Sequence, residues 1–305
     1  MFIPPSAWFT GFIPDLPTPF DAADAVDLKA LASLCERHVA AGAPALVVCE
    51  TAGEAPTLSP AEQELVIRTA VDVARGRVRV IAGAVANATS HAIELARRAE
   101  AAGADAVLSV VPFYNKPMQE GMLAHFRAIA ESIGLPIILH DVPSRTLRPL
   151  ADETIMRLAE SRQFAGLRDG SGDVTRPMRL SRHLPAGFRL LSGDDATAFG
   201  FLASGGDGAI SEVANIAPDL CRTIFSQVRQ GRLQSARYLH KRLIPLICSL
   251  SKESPAALKC ALSLLGLMRP DTRLPIVPLD HAAQAEVTKA FAAIADEELI
   301  DSVGA

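Results

Sequence analysis

The densest cluster of polar side chains in the sequence is His-Asp-Val-Pro-Ser-Arg-Thr, which spans residues 140–146. The guanidinium of Arg145 could bind a carboxylate through two parallel hydrogen bonds, and the imidazole of His140 could exchange protons near neutral pH. A surface ion pair for Arg145 and a buried structural role for His140 are the alternatives, and the residue types alone leave both open. A further candidate is Arg168, which ends the apolar run 164–167.

Three other segments carry groups with possible chemical roles. The segment 51–54 reads Thr-Ala-Gly-Glu, and its hydroxyl and successive backbone N–H groups could bind a small carboxylate, although an ordinary strand-to-helix turn reads the same way. Tyr114 follows another apolar run, and its phenol could relay protons or simply pack. Asp194 and Asp195 could suggest a metal site, but helix capping is favoured because no histidine lies at ligand spacing. We therefore predict neither a metal nor a cofactor.

These segments follow short apolar runs that predict the strands of a parallel sheet. The runs are near-continuously apolar, which is typical of strands covered on both faces, and helical patterns lie between them. Glycines after several helical patterns supply the left-handed residue that ends a helix. The predicted strands are Gly11–Leu16, Ala45–Cys49, Val78–Ala82, Ala106–Val110, Ile137–His140, Phe164–Arg168, Phe188–Leu191 and Gly208–Ser211.

Eight alternating βα units favour an α/β fold of the closed (β/α)8 type, a TIM barrel, over an open sheet. The glycine-rich turn of a dinucleotide-binding fold does not follow the first predicted strand. Active sites of such barrels lie at the C-terminal ends of the strands, so the polar segments should meet in one pocket. After Ser211 the pattern is all helical, and we predict a barrel over residues 1–230 with a C-terminal helical extension over 231–305.

The composition argues against several classes of partner. A net charge of −4, spread along the chain, provides no basic surface for nucleic acid or an anionic membrane. The chain lacks the run of about 18 apolar residues that a membrane-spanning helix needs. Its opening Met-Phe-Ile-Pro-Pro lacks the features of a secretory signal peptide. Five widely spaced cysteines without a Cys-x-x-Cys pair suit reduced thiols, and we predict a cytoplasmic protein.

Several segments together resemble the dihydrodipicolinate synthase / N-acetylneuraminate lyase family of pyruvate-dependent class I aldolases. They are Gly-Glu at 53–54 with Thr-Leu at 57–58, Pro-Phe-Tyr-Asn-Lys-Pro-Met-Gln-Glu-Gly at 112–121, Val-Pro-Ser-Arg-Thr at 142–146 and Leu-Ser-Gly-Asp-Asp at 191–195. The resemblance extends over nearly the whole chain, from Gly11 to about Leu279.

The resemblance implies a (β/α)8 barrel with a helical C-terminal extension, commonly assembled as a tetramer of tight dimers. It also implies that a small 2-oxo acid such as pyruvate forms a Schiff base with a lysine on the sixth strand. A tyrosine after the fifth strand relays protons in the family, and a Thr-Thr-Gly-Glu turn holds the pyruvate carboxylate. The arginine that matches Arg145 binds the second substrate, and the tyrosine that matches Tyr114 crosses the dimer interface. We therefore expect a homodimer or homotetramer.

This chain departs from the family pattern at three places. The family's Gly-Ile-Lys reads Gly-Leu-Arg at 166–168, its Tyr-Asn-Val-Pro reads His-Asp-Val-Pro at 140–143, and its second turn hydroxyl is replaced by Ala52. A Schiff base needs a neutral amine, whereas a guanidinium stays protonated and is a poor nucleophile. None of the lysines offers an obvious substitute for the one that Arg168 replaces.

Three hypotheses follow. The first is a lyase or aldolase that acts on a small 2-oxo acid without a Schiff base. The second is a non-catalytic paralogue that binds a small carboxylate as a sensor or a partner subunit, and the third is a barrel whose pocket has lost its role. For the first, the predicted catalytic residues are Arg168, His140 and Tyr114, and the predicted substrate-binding residues are Thr51, Ala52, Gly53, Arg145 and Ile210.

Overall fold

Eight short strands alternate with helices along residues 7–303, the part of the chain that the computed structural model describes. The prediction about a signal peptide concerns residues 1–5, which lie outside this part. The strands are β1 (Gly11–Pro14), β2 (Ala45–Val48), β3 (Arg79–Ala84), β4 (Ala106–Val110), β5 (Ile137–Asp141), β6 (Phe164–Asp169), β7 (Arg189–Ser192) and β8 (Gly208–Ser211).

All neighbouring strands are parallel, in the order β1-β8-β7-β6-β5-β4-β3-β2. A parallel bridge between Asp15 and Val47 joins the first strand to the second at their C-terminal ends. The ring of strands is therefore nearly closed, and the predicted (β/α)8 barrel is confirmed.

Twelve α-helices surround or follow the strands within residues 7–303. They are α1 (Leu28–Ala40), α2 (Pro60–Ala74), α3 (Thr89–Ala101), α4 (Gln119–Ala130), α5 (Pro143–Thr146), α6 (Asp152–Ala159), α7 (Arg176–Leu180), α8 (Ala198–Ala203), α9 (Pro218–Arg229), α10 (Leu233–Lys252), α11 (Ala256–Leu264) and α12 (His281–Val303). The last three form the helical segment expected after the barrel, while the division at residue 230 stays a prediction. None of the described helices is long and apolar enough to cross a membrane.

A local sequence signal accounts for the start of α2, the helix that follows β2. At the start of α2, the hydroxyl of Ser59 accepts the backbone N–H of Glu62, and the carboxylate of Glu62 accepts the N–H of Ser59. Pro60 then occupies the first helical position, where its missing N–H costs nothing. This cap fixes where the loop between β2 and α2 ends.

The barrel interior has an apolar floor and a polar upper layer. Buried side chains such as Trp8, Phe9 and Ile13 fill the floor. The ring of Phe9 packs so closely against Gly166 of β6 that a Cβ on Gly166 would lie 2.7 Å from it. Because side chains alternate along a strand, the next inward positions lie two residues nearer the C-terminal end. Those positions carry polar side chains at four strands: Asp15 after β1, His140 in β5, Arg168 in β6 and Glu212 after β8.

Candidate active site

A cavity of about 350 Å³ opens at the C-terminal ends of β5 to β8. The loops that follow these strands form its walls, and the C-terminal end of α10 covers one side. It brings together five of the predicted site residues: Thr51, His140, Arg145, Arg168 and Ile210. These five residues lie in or follow strands that are distant in sequence, and the structure places them around one cavity.

Arg168 lies at the base of this cavity with only 4% of its surface exposed. Its Nη1 donates to a carboxylate oxygen of Asp15 at 2.8 Å and of Glu50 at 2.9 Å. Burial alone would lower the pKa of Arg168, but these two carboxylates outweigh it and raise the pKa. The side chain fits because Gly193 lacks a Cβ, which would lie 3.0 Å from Cγ of Arg168. The guanidinium is thus a fixed positive charge that cannot act as an amine.

Glu50 joins Arg168 to His140. Nδ1 of His140 lies 2.8 Å from Oε1 of Glu50, and both side chains are buried. Burial raises the pKa of Glu50, but His140 and Arg168 more than offset this and lower it, so the carboxylate is ionised. Burial lowers the pKa of His140 despite the opposing effect of Glu50. A neutral imidazole that donates from Nδ1 to Glu50 has its lone pair on Nε2.

The backbone before the Thr-Ala-Gly-Glu turn directs Glu50 into the barrel. Cys49, directly after β2, has a left-handed φ of 55°, which is uncommon for a residue other than glycine. Its carbonyl passes so close to β3 that a Cβ on Gly83 would lie 2.0 Å from the oxygen. The backbone N–H of Thr51 also donates to the carboxylate of Glu50. The first N–H of the Thr-Ala-Gly-Glu turn therefore already binds a carboxylate that belongs to the chain.

Asp15 is the second acidic partner of Arg168 and is fully buried. Burial raises its pKa to about 7, although Arg168 opposes this effect. Its Oδ1 has no hydrogen-bond partner among the described residues. Asp15 therefore exchanges a proton close to neutral pH, and the charge of the Asp15–Arg168–Glu50 cluster changes there.

Arg145 lies at the exposed rim of the cavity, on the short helix α5. Within residues 7–303 its guanidinium forms no hydrogen bond or ion pair. The predicted alternative of a surface ion pair is thus not what this chain forms. Arg145 is instead available for an anionic group that enters the cavity.

Three predicted site residues do not line the cavity. Tyr114 is 88% exposed, so the prediction that it takes part in the site is not met within one chain. Its contribution across a dimer interface stays a prediction. Ala52 is fully buried beneath the turn, and Gly53 lies so close to other backbone that a Cβ would be 3.2 Å from Leu16 O. These two residues shape the turn that carries Thr51, and their role in binding stays a prediction.

The aspartate pair after β7 caps backbone. Oδ2 of Asp195 accepts the backbone N–H groups of Glu212 at 3.0 Å and Val213 at 2.9 Å. Oδ2 of Asp194 accepts the hydroxyl of Thr197 at 2.6 Å, directly before α8. Among the described residues, no group of three or more histidine, cysteine or acidic side chains could hold a metal ion. Both aspartates thus form structural bonds, as favoured from the sequence, but these bonds go to the turn after β8 and to a neighbouring hydroxyl, and α8 itself has no side-chain cap hydrogen bond.

Sequence reasoning missed three acidic residues of the site: Asp15, Glu50 and Glu212. Asp15 could have been found from the alternation of side chains along β1, since it lies two residues after the inward-facing Ile13. Glu50 directly precedes the turn at 51–54, and Glu212 directly follows β8. Each is a charged side chain at a strand end, but its partner comes from a distant segment of the chain.

None of the residues that line the cavity is a lysine. Lys116, in the loop after β4, is exposed. Lys259, in α11, is fully buried, and its Nζ lies 2.5 Å from a carboxylate oxygen of Glu54. Neither amine therefore faces the space beside Arg168.

Comparison with known proteins gives a consistent result over most of the chain. The model of the Dihydrodipicolinate synthetase family matches residues 8–294. The chain is 47% identical over 290 residues to 4-hydroxy-tetrahydrodipicolinate synthase of Hyphomonas neptunium, covering 93% of this chain and 98% of that protein. It is also 47% identical to the protein of the same name from Thiobacillus denitrificans, covering 90% and 92% of the two chains.

A solved structure shares the fold as well as the sequence. The chloride-inhibited dihydrodipicolinate synthase from Acinetobacter baumannii, complexed with pyruvate, superposes with a TM-score of 0.90 at 39% identity. The match covers 94% of this chain and 99% of that one.

Proposed function

Because this chain belongs to the dihydrodipicolinate synthetase family, we propose that it acts on a small 2-oxo acid such as pyruvate, without forming a Schiff base. The observation that carries the proposal is the pair formed by Glu50 and His140 beside Arg168, at a cavity that no lysine lines. The pyruvate complex of the Acinetobacter relative supports a 2-oxo acid as the ligand.

The proposed chemistry begins with proton abstraction by His140. Its Nε2 takes a proton from C3 of the 2-oxo acid, and the C–H electron pair forms an enolate. The adjacent carboxylate of Glu50 stabilises the resulting imidazolium, as a carboxylate does for the histidine of a catalytic triad. The fixed charge of Arg168 stabilises the enolate oxygen in a largely buried site, and Arg145 binds the carboxylate of the substrate.

Arg168 acts here through its charge, and its carboxylate partners limit it to that role. Asp15 and Glu50 both bond to Nη1, so Arg168 is held in one orientation. Binding of the substrate carboxylate needs a cation whose donors are not already held by carboxylates of the protein. The unpaired Arg145 is better suited to that task, because no carboxylate within residues 7–303 forms an ion pair with it.

Exchange of the C3 protons of pyruvate in D2O, followed by proton NMR, tests the proposal. His140→Gln should slow enzyme-dependent exchange by about 10²–10⁴-fold, the usual contribution of a positioned general base. His91→Gln is the matched control, because His91 lies on the exposed surface of α3 and should leave exchange unchanged. Equal exchange by the unsubstituted protein and His140→Gln would rule out the proposed base.

The same assay decides the second candidate, a non-catalytic protein that binds a small carboxylate. The unpaired Arg145 at the cavity supports this reading equally well. Pyruvate that raises the melting temperature of the protein, with no exchange above the rate in buffer, would favour a binding protein. In that case Arg145→Met should remove the thermal shift, and His140→Gln should retain it.

A further inference from the structure

An aldol-type reaction needs a second proton transfer beyond the one assigned to His140. We propose that Glu212 is the acid that protonates the alkoxide formed when the enolate attacks an aldehyde. This inference rests on the proposed function. The relay tyrosine that the family resemblance implies after the fifth strand is His140 in this chain, and Glu212 is a further titratable group that lines the cavity.

Three elements hold Glu212 at the cavity wall. It directly follows β8, and its backbone N–H donates to Asp195, after β7, at 3.0 Å. The hydroxyl of Ser254, between α10 and α11, lies 2.8 Å and 2.7 Å from its two carboxylate oxygens. Ser254 lines the same cavity. The carboxyl group is therefore fixed where the barrel meets the helices that cover it.

Glu212 and His140 occupy different walls of one cavity. His140 belongs to β5, while Glu212 follows β8, and the loops after β6 and β7 lie between them. A substrate in this space can meet one group at its enolate carbon and the other at the carbonyl oxygen of the aldehyde. A single residue could not serve both atoms at the same time.

The charges around Glu212 favour a carboxyl that keeps its proton. Burial raises the pKa of Glu212, and the charge of Asp195 raises it further. The hydrogen bond from Ser254 and the charges of Arg168 and Arg145 lower this pKa, but the net shift is upward. A negative charge on Asp15 and one on Glu212 also repel each other.

The step balances in atoms and charge. His140 takes the C3 proton, the enolate carbon forms a bond to the aldehyde carbon, and the carbonyl electron pair moves to oxygen. Glu212 then gives its proton to that oxygen and becomes a carboxylate, while His140 is left as an imidazolium. Net transfer of one proton from His140 to Glu212 through solvent restores the starting state, so the reaction needs no oxidant, reductant or metal ion.

The test separates the two proton transfers by comparing Glu212→Gln with the unsubstituted protein in two assays. The first is C3 exchange of pyruvate alone, which needs only His140. The second is carbon–carbon bond formation between pyruvate and glyoxylate, glycolaldehyde or acetaldehyde, followed by mass spectrometry. Glu212→Gln should retain exchange within about 3-fold and lose condensation by about 10²-fold or more. Glu131→Gln, at the exposed end of α4, is the matched control.

The pH profile supplies a readout that a purely structural role would not change. Condensation should decline at high pH as Glu212 loses its proton, and Glu212→Gln should lack this limb. Ser254→Ala removes a hydrogen bond that favours the charged carboxylate, so the limb should move to higher pH.

Three results would overturn the inference. They are loss of exchange in Glu212→Gln, condensation that survives this change, and an unsubstituted protein that exchanges pyruvate protons but condenses none of the three aldehydes. An unsubstituted protein that exchanges no protons at all contradicts the proposed function itself, so the two failures are distinguishable.

Discussion

Arg168 and Lys259 are both buried cations paired with carboxylates, and they differ in what surrounds them. Arg168 lies between Asp15 and Glu50 and forms part of the cavity wall. Lys259 is fully buried, with Nζ 2.5 Å from Glu54, 2.9 Å from a backbone carbonyl and 4.0 Å from the centre of the Phe20 ring. One cation faces the substrate space, and the other is enclosed on every side by protein.

The difference separates two requirements of amine catalysis. Burial lowers the pKa of Lys259, although Glu54 opposes this, and a lowered pKa is what an amine nucleophile needs. That lysine has no access to the cavity, whereas the residue with access is a guanidinium. The chain therefore possesses a perturbed amine and an open site, but in different places.

Lys259 instead ties the C-terminal helices to the barrel. Glu54, its partner, ends the Thr-Ala-Gly-Glu turn and also accepts the backbone N–H of Arg273 at 3.0 Å. The guanidinium of Arg273 lies 4.3 Å from the centre of the Phe20 ring, the same ring that Lys259 contacts. Residues from α11 and the segment after it thus support the turn from below.

The largest expected effect on stability comes from Lys259→Met. The change leaves Glu54 buried without its main counter-charge, which costs about 3–5 kcal/mol of unfolding free energy in comparable pairs. Urea unfolding measures this loss. Lys252→Met is the matched control, because Lys252 forms only an exposed ion pair with Glu286, and its unfolding midpoint should not move.

A second substitution tests whether the loss comes from the uncompensated charge. Glu54→Gln combined with Lys259→Met should recover part of the stability, since the amide carries no charge. A loss below about 1 kcal/mol for Lys259→Met alone would mean that water reaches Glu54. The contrast between an enclosed and an accessible cation would then be wrong.

A smaller effect concerns Asp15 and depends on pH. In the unfolded chain this carboxyl has a pKa of about 4, and in the fold burial raises it to about 7. Between these values the folded protein holds a proton that the unfolded chain has lost, so this group's contribution to stability falls as pH rises. Asp15→Asn removes that contribution. The unfolding free energy of Asp15→Asn, relative to that of the unsubstituted protein, should therefore increase from about pH 4 to about pH 7, by at most about 1.4 kcal/mol per pH unit.

Urea unfolding of both proteins at about pH 5, 6 and 7 checks this expectation, because the pKa of Asp15 in the fold is about 7. A difference in unfolding free energy that stays constant over the series would show that Asp15 remains ionised. The negative charge beside Arg168 would then be larger than the structure indicates.

Much of the architecture could be predicted from the sequence. The strands Ala106–Val110 and Gly208–Ser211 match their predicted bounds, and the family and its lyase character are confirmed by relatives named as synthases. The first strand was predicted to reach Leu16 but ends at Pro14. The apolar run continues because Leu16 packs in the core beyond the strand, and hydrophobicity alone does not distinguish the two situations.

The site was only partly predictable because its contacts join distant segments. Placing His140, Arg145 and Arg168 in one pocket required only the rule that barrel sites lie at strand ends. The bonds from Arg168 to Asp15 and Glu50 span 153 and 118 residues, and no local pattern encodes them. They depend on the closure of the ring and on the kink at Cys49.

The contacts of Arg168 with Asp15 and Glu50 also suggest a positive control for Schiff-base formation with pyruvate. Arg168→Lys alone should form little Schiff base, because Asp15 and Glu50 would keep the new amine protonated. Adding Asp15→Asn and Glu50→Gln removes both negative charges. The triple variant should therefore form at least about 10-fold more pyruvyl adduct than Arg168→Lys, which corresponds to about 1.4 kcal/mol in favour of the neutral amine.

The most direct test of a non-covalent site is borohydride reduction of the unsubstituted protein in the presence of pyruvate, followed by intact-mass measurement. The structure predicts no mass increase under conditions where the same protein exchanges the C3 protons of pyruvate. A mass increase of one reduced pyruvyl group, located on Lys259, Lys116 or any other lysine, would show that an amine reaches the substrate and would contradict the assignment of Arg168 and His140.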